Sequence, residues 1–304
     1  MAYKNMIVLL AGPTASGKSK IAIKLSRLIN GEIINADSMQ VYKELKILTS
    51  RPTLLDQNKI THHLYGFISV KKSFSSGTWL KLVKKKINEI LKKKKIPILV
   101  GGTGLYFKVL TDGLMEIPNI PIKRKEKIRK YHKKIGQNNF YDELVKLDPK
   151  VKNFISKHDS QRSIRAYEVK KFTNKSLYTW IKKTKPIFDK NIFRKFFINP
   201  PKEWLLKKIN LRVEKMFKRG AREEVKKFLK LKIHKELSAN KVIGIKEIED
   251  FLNKKLTLEE VKNLIKIRTR QYAKRQFTWA RGQMSSWYMV NPKNYKDILD
   301  KLVI

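Results

Sequence analysis

The chain opens on an unbroken apolar run, Met6 to Ala11, that stops at Gly12. A stretch with no polar alternation reads as a strand buried on both faces, as in a parallel sheet. Beyond it Ile21, Ala22, Leu25, Leu28 and Ile29 recur at helical spacing. "EIINADS" (32–38) reads as a second strand that ends in polar residues. Trp79, Leu80, Val83, Ile87, Ile90 and Leu91 trace one stripe of a helix, and "IPILVGGTG" (96–104) is a third strand entering a glycine turn. Strands alternating with helices predict an α/β fold, a parallel sheet core flanked by helices. Such sheets gather ligands at the carboxyl ends of their strands. All three predicted strands send their polar or glycine-rich tails to that edge.

From about residue 115 the texture changes. "MEIPNIPIKRK" (115–125) carries two prolines and reads as a linker, charged helical segments follow, and "KTKP" and "INPPKEW" mark the exit. The expected organisation is a core beginning in 1–118, a helical insertion over 119–190, and a mainly helical remainder, 191–304, packing on the core. No internal repeat, heptad array or low-complexity linker interrupts this plan.

Composition adds three constraints. With 41% hydrophobic and 10% aromatic residues over 304 positions, the chain can bury a full core. It has no cysteine, which excludes disulfides and thiolate metal sites and fits a reducing compartment. Lys4 before the run 6–11 imitates a secretory signal, but the run is too short and leads directly into a phosphate-loop pattern. No segment approaches the ~20 apolar residues of a membrane span. A soluble, cytoplasmic monomer with no obligate protein partner is expected. The net charge of +44 is extreme. Abundant Lys, Ile and Asn trace part of it to compositional drift, yet a field of that sign attracts polyanions whatever its origin.

The candidate chemistry starts at Gly12-Pro13-Thr14-Ala15-Ser16-Gly17-Lys18-Ser19, which matches G-x-x-x-x-G-K-[ST] between a strand and a helix. Backbone N–H groups of such a P-loop converge on phosphate oxygens, the helix N-terminus adds partial positive charge, Lys18 supplies a full one, and the Ser19 hydroxyl suits Mg²⁺. Triphosphate-hydrolysing relatives end another core strand in a carboxylate for the metal. Here the third strand ends in glycines, and the carboxylate is Asp37, after the second strand. Asp37 can take a proton, hold metal or cap a helix at "DSMQ".

Beyond the loop, "NADSMQVYK" (35–43), "PILVGGTGLY" (97–106), "DSQRSIRAYEV" (159–169), "RGAREEV" (219–225), "VIGIKEI" (242–248) and "TRQYAKRQFTWAR" (269–281) follow in order. Together with "GPTASGKS" (12–19), they resemble the tRNA dimethylallyltransferases over nearly the whole chain. Two local departures are Leu48-Thr49-Ser50-Arg51-Pro52, where that family usually has G-T-A-K-P, and Ile245, where it has Tyr. The resemblance implies transfer of a five-carbon allylic group from dimethylallyl diphosphate to the exocyclic amine of an adenosine beside the anticodon, with Mg²⁺ as cofactor. The partner it implies is a tRNA anticodon stem-loop.

Under that reading Asp37 is the general base, while Thr103 and Arg219 stabilise the leaving diphosphate. Thr103 also suits a plain tight turn, and Arg219 a helix-end cation. Asp37, Ser38, Met39 and Gln40 face the extruded adenine, Gln40 by its edge, and Thr103 lies beside it. Gln161, Arg162, Ser163, Ile164 and Arg165 form a polar cluster, with Arg165 equally able to pair with Glu168. Lys125 is a further RNA contact by alignment. Arg270, Lys274 and Arg281 share one helix face and, with Arg275, form a backbone track, while Trp279 is expected to be buried. The rival readings are a kinase, which would turn over triphosphate, and an RNA-binding protein with a relic phosphate site. Adjacent His62 and His63 diverge in direction and have no matching ligand cluster, so metal ligation there is not expected.

Overall fold

The six-residue apolar run folds as β1 (Ile7–Ala11), every residue of which is buried. Its structure is a computed structural model that describes residues 6–302; Lys4, the cation before the first strand, lies outside the described residues. The P-loop leads into α1 (Lys18–Leu28), which turns Ile21, Ala22 and Leu25 onto the sheet but leaves Leu28 exposed, contrary to the spacing. Then come β2 (Gly31–Asn35), α2 (Leu54–Lys59), the short β3 (His62–His63), α3 (Ser76–Lys92), β4 (Ile96–Gly101) and α4 (Gly104–Asp112). In α3 the predicted stripe is buried from Trp79 to Ile90.

All strand pairings are parallel, and the sheet order is β3-β2-β4-β1-β5-β6. The α/β architecture expected from the hydrophobic pattern is therefore present. Two strands the pattern did not give belong to the C-terminal third: β5 (Phe193–Ile198) and β6 (Tyr288–Val290). β5 is no accessory, since it pairs directly with β1 along its length. Arg194 and Lys195 interrupt its apolar run and stay half-buried, which disguises the strand in the sequence.

Between β5 and β6 run α8 (Lys202–Lys218), α9 (Ala221–Lys230), α10 (Ile245–Leu252) and the long α11 (Leu258–Gln283), numbered after three helices of the insertion described below. Val213, Val225, Ile248 and Ile265 from these helices meet Val41, Tyr42 and Leu45 in one core cluster. The departures at 48–52 are absorbed by this packing. Arg51 donates to the Tyr42 carbonyl at 2.8 Å, and Ile245 is buried. Glu224 of "RGAREEV" accepts the backbone N–H groups of Lys46, Ile47 and Leu48 at 2.7–2.9 Å, anchoring that segment to α9.

The chain divides into two compact units, Met1–Thr111 with Phe188–Ile304, and Asp112–Ile187. The second holds α5 (Ile122–Leu147), α6 (Ser160–Thr173) and α7 (Leu177–Lys182), with Ile120, Leu144, Val151 and Val169 at its core. Gly136, at φ 78°, breaks α5 into two segments.

At the carboxyl edge, β2 and β4 approach so closely that a Cβ on Gly101 would fall 2.0 Å from the Ala36 carbonyl oxygen. Backbone cannot yield as a side chain can. Gly101→Ala is expected to cost about 1–3 kcal/mol of stability, read as a lower midpoint in thermal or urea denaturation.

Candidate active site

The P-loop follows β1 with Ala15 at φ 63° and Gly17 at φ 84°, a left-handed path that curls the backbone around the N-terminus of α1. Lys18 folds back so that its Nζ donates to the Pro13 carbonyl at 3.2 Å. Burial pushes the Lys18 ammonium down to about 8; the Asp37 charge works against this shift, and Arg212 adds to it. The cradle is thus a desolvated cationic site that favours an anion.

Asp37 follows β2, two strands from β1 in the sheet with β4 between them. It caps no helix: its Oδ1 accepts the N–H of Met39, two residues on, at 2.9 Å, and the segment continues as a turn. The Asp37 N–H donates to Asn35 Oδ1 at 2.8 Å, and Asn35 Nδ2 in turn donates to the carbonyls of Asp37 and Leu64. Thr103 Oγ1 accepts the Ser38 N–H at 3.0 Å and donates to Ser38 Oγ at 3.3 Å. The glycine turn after β4 is thereby bonded to the turn that carries the acid. Three tyrosines, Tyr65, Tyr106 and Tyr272, feel the Asp37 charge, and burial together with that charge pushes their phenols up.

Two cavities open on this edge. One, of about 290 Å³, is bordered by Thr14, Lys18, Asp37, Met39, Gln40, Tyr272 and Arg275, with an apolar wall from Leu48, Met216, Val242 and Ile265. The other, of about 300 Å³, is bordered by Ala15, Gly17, Ser19 and Arg219. Lys18, Gln40, Arg212 and Met216 border both, and the first brings Thr14 and Lys18 of the phosphate loop together with the acid.

Arg212 is the residue sequence reasoning missed. Half-buried on α8, it is lowered by desolvation and held up by Asp37, and its Nη2 donates to the Leu48 carbonyl at 3.2 Å. No sequence signal separated it from Arg219: the two are seven residues apart and fall on nearly the same face of α8. Arg219, in contrast, is exposed at the C-cap of that helix and borders only the outer cavity.

The remaining candidates disperse. Gln40 turns its amide donors to the carbonyls of Thr49 and Ser50. On α11, Arg270, Lys274 and Arg281 are exposed, and the Arg275 guanidinium lies 5.7 Å from the Tyr272 ring. Trp279 is half-buried rather than buried. Within the insertion unit, Gln161 and Arg162 are exposed on α6, and Lys125, Ile164 and Arg165 are half-buried. Ser163 is fully buried, its hydroxyl donating to the Asp159 carbonyl at 2.8 Å; it packs the helix. Arg165 faces Glu168 at 3.5 Å, the pairing left open by the sequence. His63 bonds Glu32 at 2.7 Å and His62 the Ile60 carbonyl. Among the described residues no group of three or more His, Cys, Asp or Glu is arranged to hold a metal, and no described helix is long and apolar enough to cross a membrane.

Ser16 Oγ, buried in the loop, accepts and donates no hydrogen bond, and Ser19 presents an exposed hydroxyl at the start of α1. These are hard oxygen donors beside a phosphate cradle, a set that fits Mg²⁺ held mainly through substrate phosphates and water.

Comparison with known proteins agrees with this geometry. Residues 40–283 match the family described as IPP transferase. A tRNA dimethylallyltransferase of Pelagibacter ubique is 56% identical over 302 residues, covering 99% of this chain and 96% of that protein. One from Rickettsia massiliae is 43% identical, covering 98% and 83%. Among solved structures, the full-length tRNA isopentenylpyrophosphate transferase of Bacillus halodurans superposes with a TM-score of 0.69 at 30% identity, covering 98% of this chain and 97% of that one. A eukaryotic dimethylallyltransferase acting on tRNA reaches 0.82 at 29% identity, covering 96% and 75%. A phosphate cradle and a lone acid sharing one cavity, on a fold and sequence matched end to end, leave one conclusion: the chain belongs to the tRNA dimethylallyltransferase family, the IPP transferases, and is a prenyl-transferring enzyme.

Proposed function

We propose that the enzyme transfers the dimethylallyl group of dimethylallyl diphosphate to the N6 amine of adenosine 37, the nucleoside 3′ to the anticodon, in tRNAs reading codons that begin with U. The products are N6-isopentenyladenosine and diphosphate. The observation that carries this reading is the one cavity bordered by Thr14, Lys18 and Arg212 together with Asp37.

The adenine amine is a weak nucleophile because its lone pair is delocalised into the ring. As N6 bonds to the allylic carbon, Asp37 takes the amine proton, and the carbon–oxygen bond breaks with its electron pair left on the diphosphate. The P-loop amides, Lys18 and Arg212 receive that charge, in a site where desolvation strengthens each interaction. The Thr103 hydroxyl can turn from Ser38 to the bridging oxygen. Asp37 is held for its task by the Met39 N–H, which fixes one carboxylate oxygen.

The apolar wall of Leu48, Met216, Val242 and Ile265 suits the five-carbon chain and the face of a purine, and Tyr272 offers a stacking surface. Mg²⁺ held at Ser19 would neutralise charge on the diphosphate. The exposed Arg270, Lys274 and Arg281 give the RNA backbone a cationic track, and Lys125, Gln161, Arg162 and Arg165 serve the same polyanion on the insertion.

Incubation with unmodified tRNA, Mg²⁺ and labelled dimethylallyl diphosphate should place label in the RNA without triphosphate consumption; triphosphate turnover with unlabelled RNA would overturn this function. Asp37→Ala should retain tRNA binding in a filter assay while transfer falls about 10²–10⁴-fold. Arg212→Ala should lower transfer at least tenfold more than Arg219→Ala, as only Arg212 borders both cavities; equal effects would return the role to Arg219. Because burial lowers Lys18 to about 8 in the free protein, binding of a non-reactive diphosphate ester should be strongest around pH 7, below the Lys18 value and above the last ionisation of the terminal phosphate at about 6. Above pH 8 the ammonium must first regain its proton, so affinity should fall by up to about tenfold per pH unit, with proton uptake visible in calorimetry across buffers.

A further inference from the structure

Gln276 has no part in the chemistry above, yet it makes the only side-chain bridge from α11 to both glycine-rich turns of the site among the described hydrogen bonds. It is buried in the middle of the helix. Its Oε1 accepts the Thr14 N–H at 2.8 Å, an amide in the heart of the P-loop. Its Nε2 donates to the Gly102 carbonyl at 2.9 Å, one residue before Thr103. A primary amide is the one uncharged side-chain group that accepts and donates from adjacent atoms, so a single planar group spans both turns.

The turn is also shaped around this helix. A Cβ on Gly102 would fall 2.2 Å from Gln276 Nε2, and one on Gly104 would fall 2.0 Å from Trp279 Nε1. Gln276 and Trp279 lie three apart, on one face of α11. The glycines on either side of Thr103 therefore admit α11.

We propose that Gln276 is a positioning residue for prenyl transfer: it locks the P-loop to the Thr103 turn, and so fixes the spacing between the diphosphate cradle and the groups facing the amine. The inference rests on the function proposed above. Misplacing reacting groups by about 1 Å costs on the order of 10²-fold in rate, and both anchors of Gln276 sit on the reacting edge. The helix that carries it also presents the cationic track, so one rigid element sets the cradle and faces the RNA.

The test compares wild type, Gln276→Met and Gln276→Glu at saturating substrates, well below their melting temperatures. Gln276→Met keeps the length and loses both bonds; its kcat should fall about 10²-fold at every pH, with filter-binding affinity for tRNA within about threefold of wild type (a factor of 3 being roughly 0.65 kcal/mol). Gln276→Glu supplies the diagnostic. As a neutral acid it can accept from Thr14 and donate to Gly102 as the amide does, but as a carboxylate it has no proton to donate and faces a carbonyl. Its kcat relative to wild type should rise at least fivefold as pH falls from 8 to 5.5, a recovery that Gln276→Met cannot show. A pH-independent ratio for Gln276→Glu, or a Gln276→Met enzyme whose kcat matches wild type, would overturn the proposal. If wild type itself transfers no label to tRNA, it is the proposed function that fails.

Discussion

The carboxyl edge of the sheet depends on backbone meeting backbone. Gly101 at the end of β4 lies against the Ala36 carbonyl at the end of β2, with no room for a side chain between them. Because of that contact Asp37 and Thr103, more than sixty residues apart in sequence, are bonded through Ser38. Since β4 also pairs with β1, the P-loop leaves the sheet beside them. Strand pairing therefore brings the acid, the hydroxyl and the phosphate cradle to one edge, and the turns that follow the strands orient them.

Electrostatics complete the arrangement. Lys18 and Arg212 are both held in a desolvated site that disfavours their charge, and the Asp37 carboxylate offsets part of that cost for each. Negative charge brought between them relieves the same penalty, so the loop favours an anion. Backbone groups hold acid and cations in place: Asp37 is anchored by its own turn, Arg212 by the Leu48 carbonyl and Lys18 by that of Pro13.

The helices of the C-terminal third do more than cover this edge. α8 brings Arg212, α9 holds the 46–48 segment through Glu224, and α11 reaches over the glycine turns with Gln276 and Trp279. The same α11 exposes Arg270, Lys274 and Arg281 on its outer face. A buried amide within and a cationic row without make one helix serve the interior and the surface of the site.

Local sequence sufficed for the elements whose pattern is uninterrupted. β1 and β4 are continuous apolar runs, β2 is centred on Ile33 and Ile34 before a polar tail, the P-loop follows from its glycine spacing, and the α3 stripe repeats at helical period. What lay beyond it depends on contacts between distant segments. β5 hides behind Arg194 and Lys195, because its hydrophobicity is set by its pairing with β1 and not by alternation. Arg212 and Arg219 are equivalent as letters, seven apart and so on nearly the same face of α8; what separates them is position along it, Arg212 within the helix and bonded to the Leu48 carbonyl, Arg219 exposed at its C-cap. Gln276 carries no motif of its own, since an amide becomes a clasp only when two turns from elsewhere in the chain arrive at its two atoms. Sequence by itself determined which groups could meet a phosphate and an RNA, through residue type and local period. Tertiary structure decided which of them share one desolvated space, because direction and burial are properties of packing.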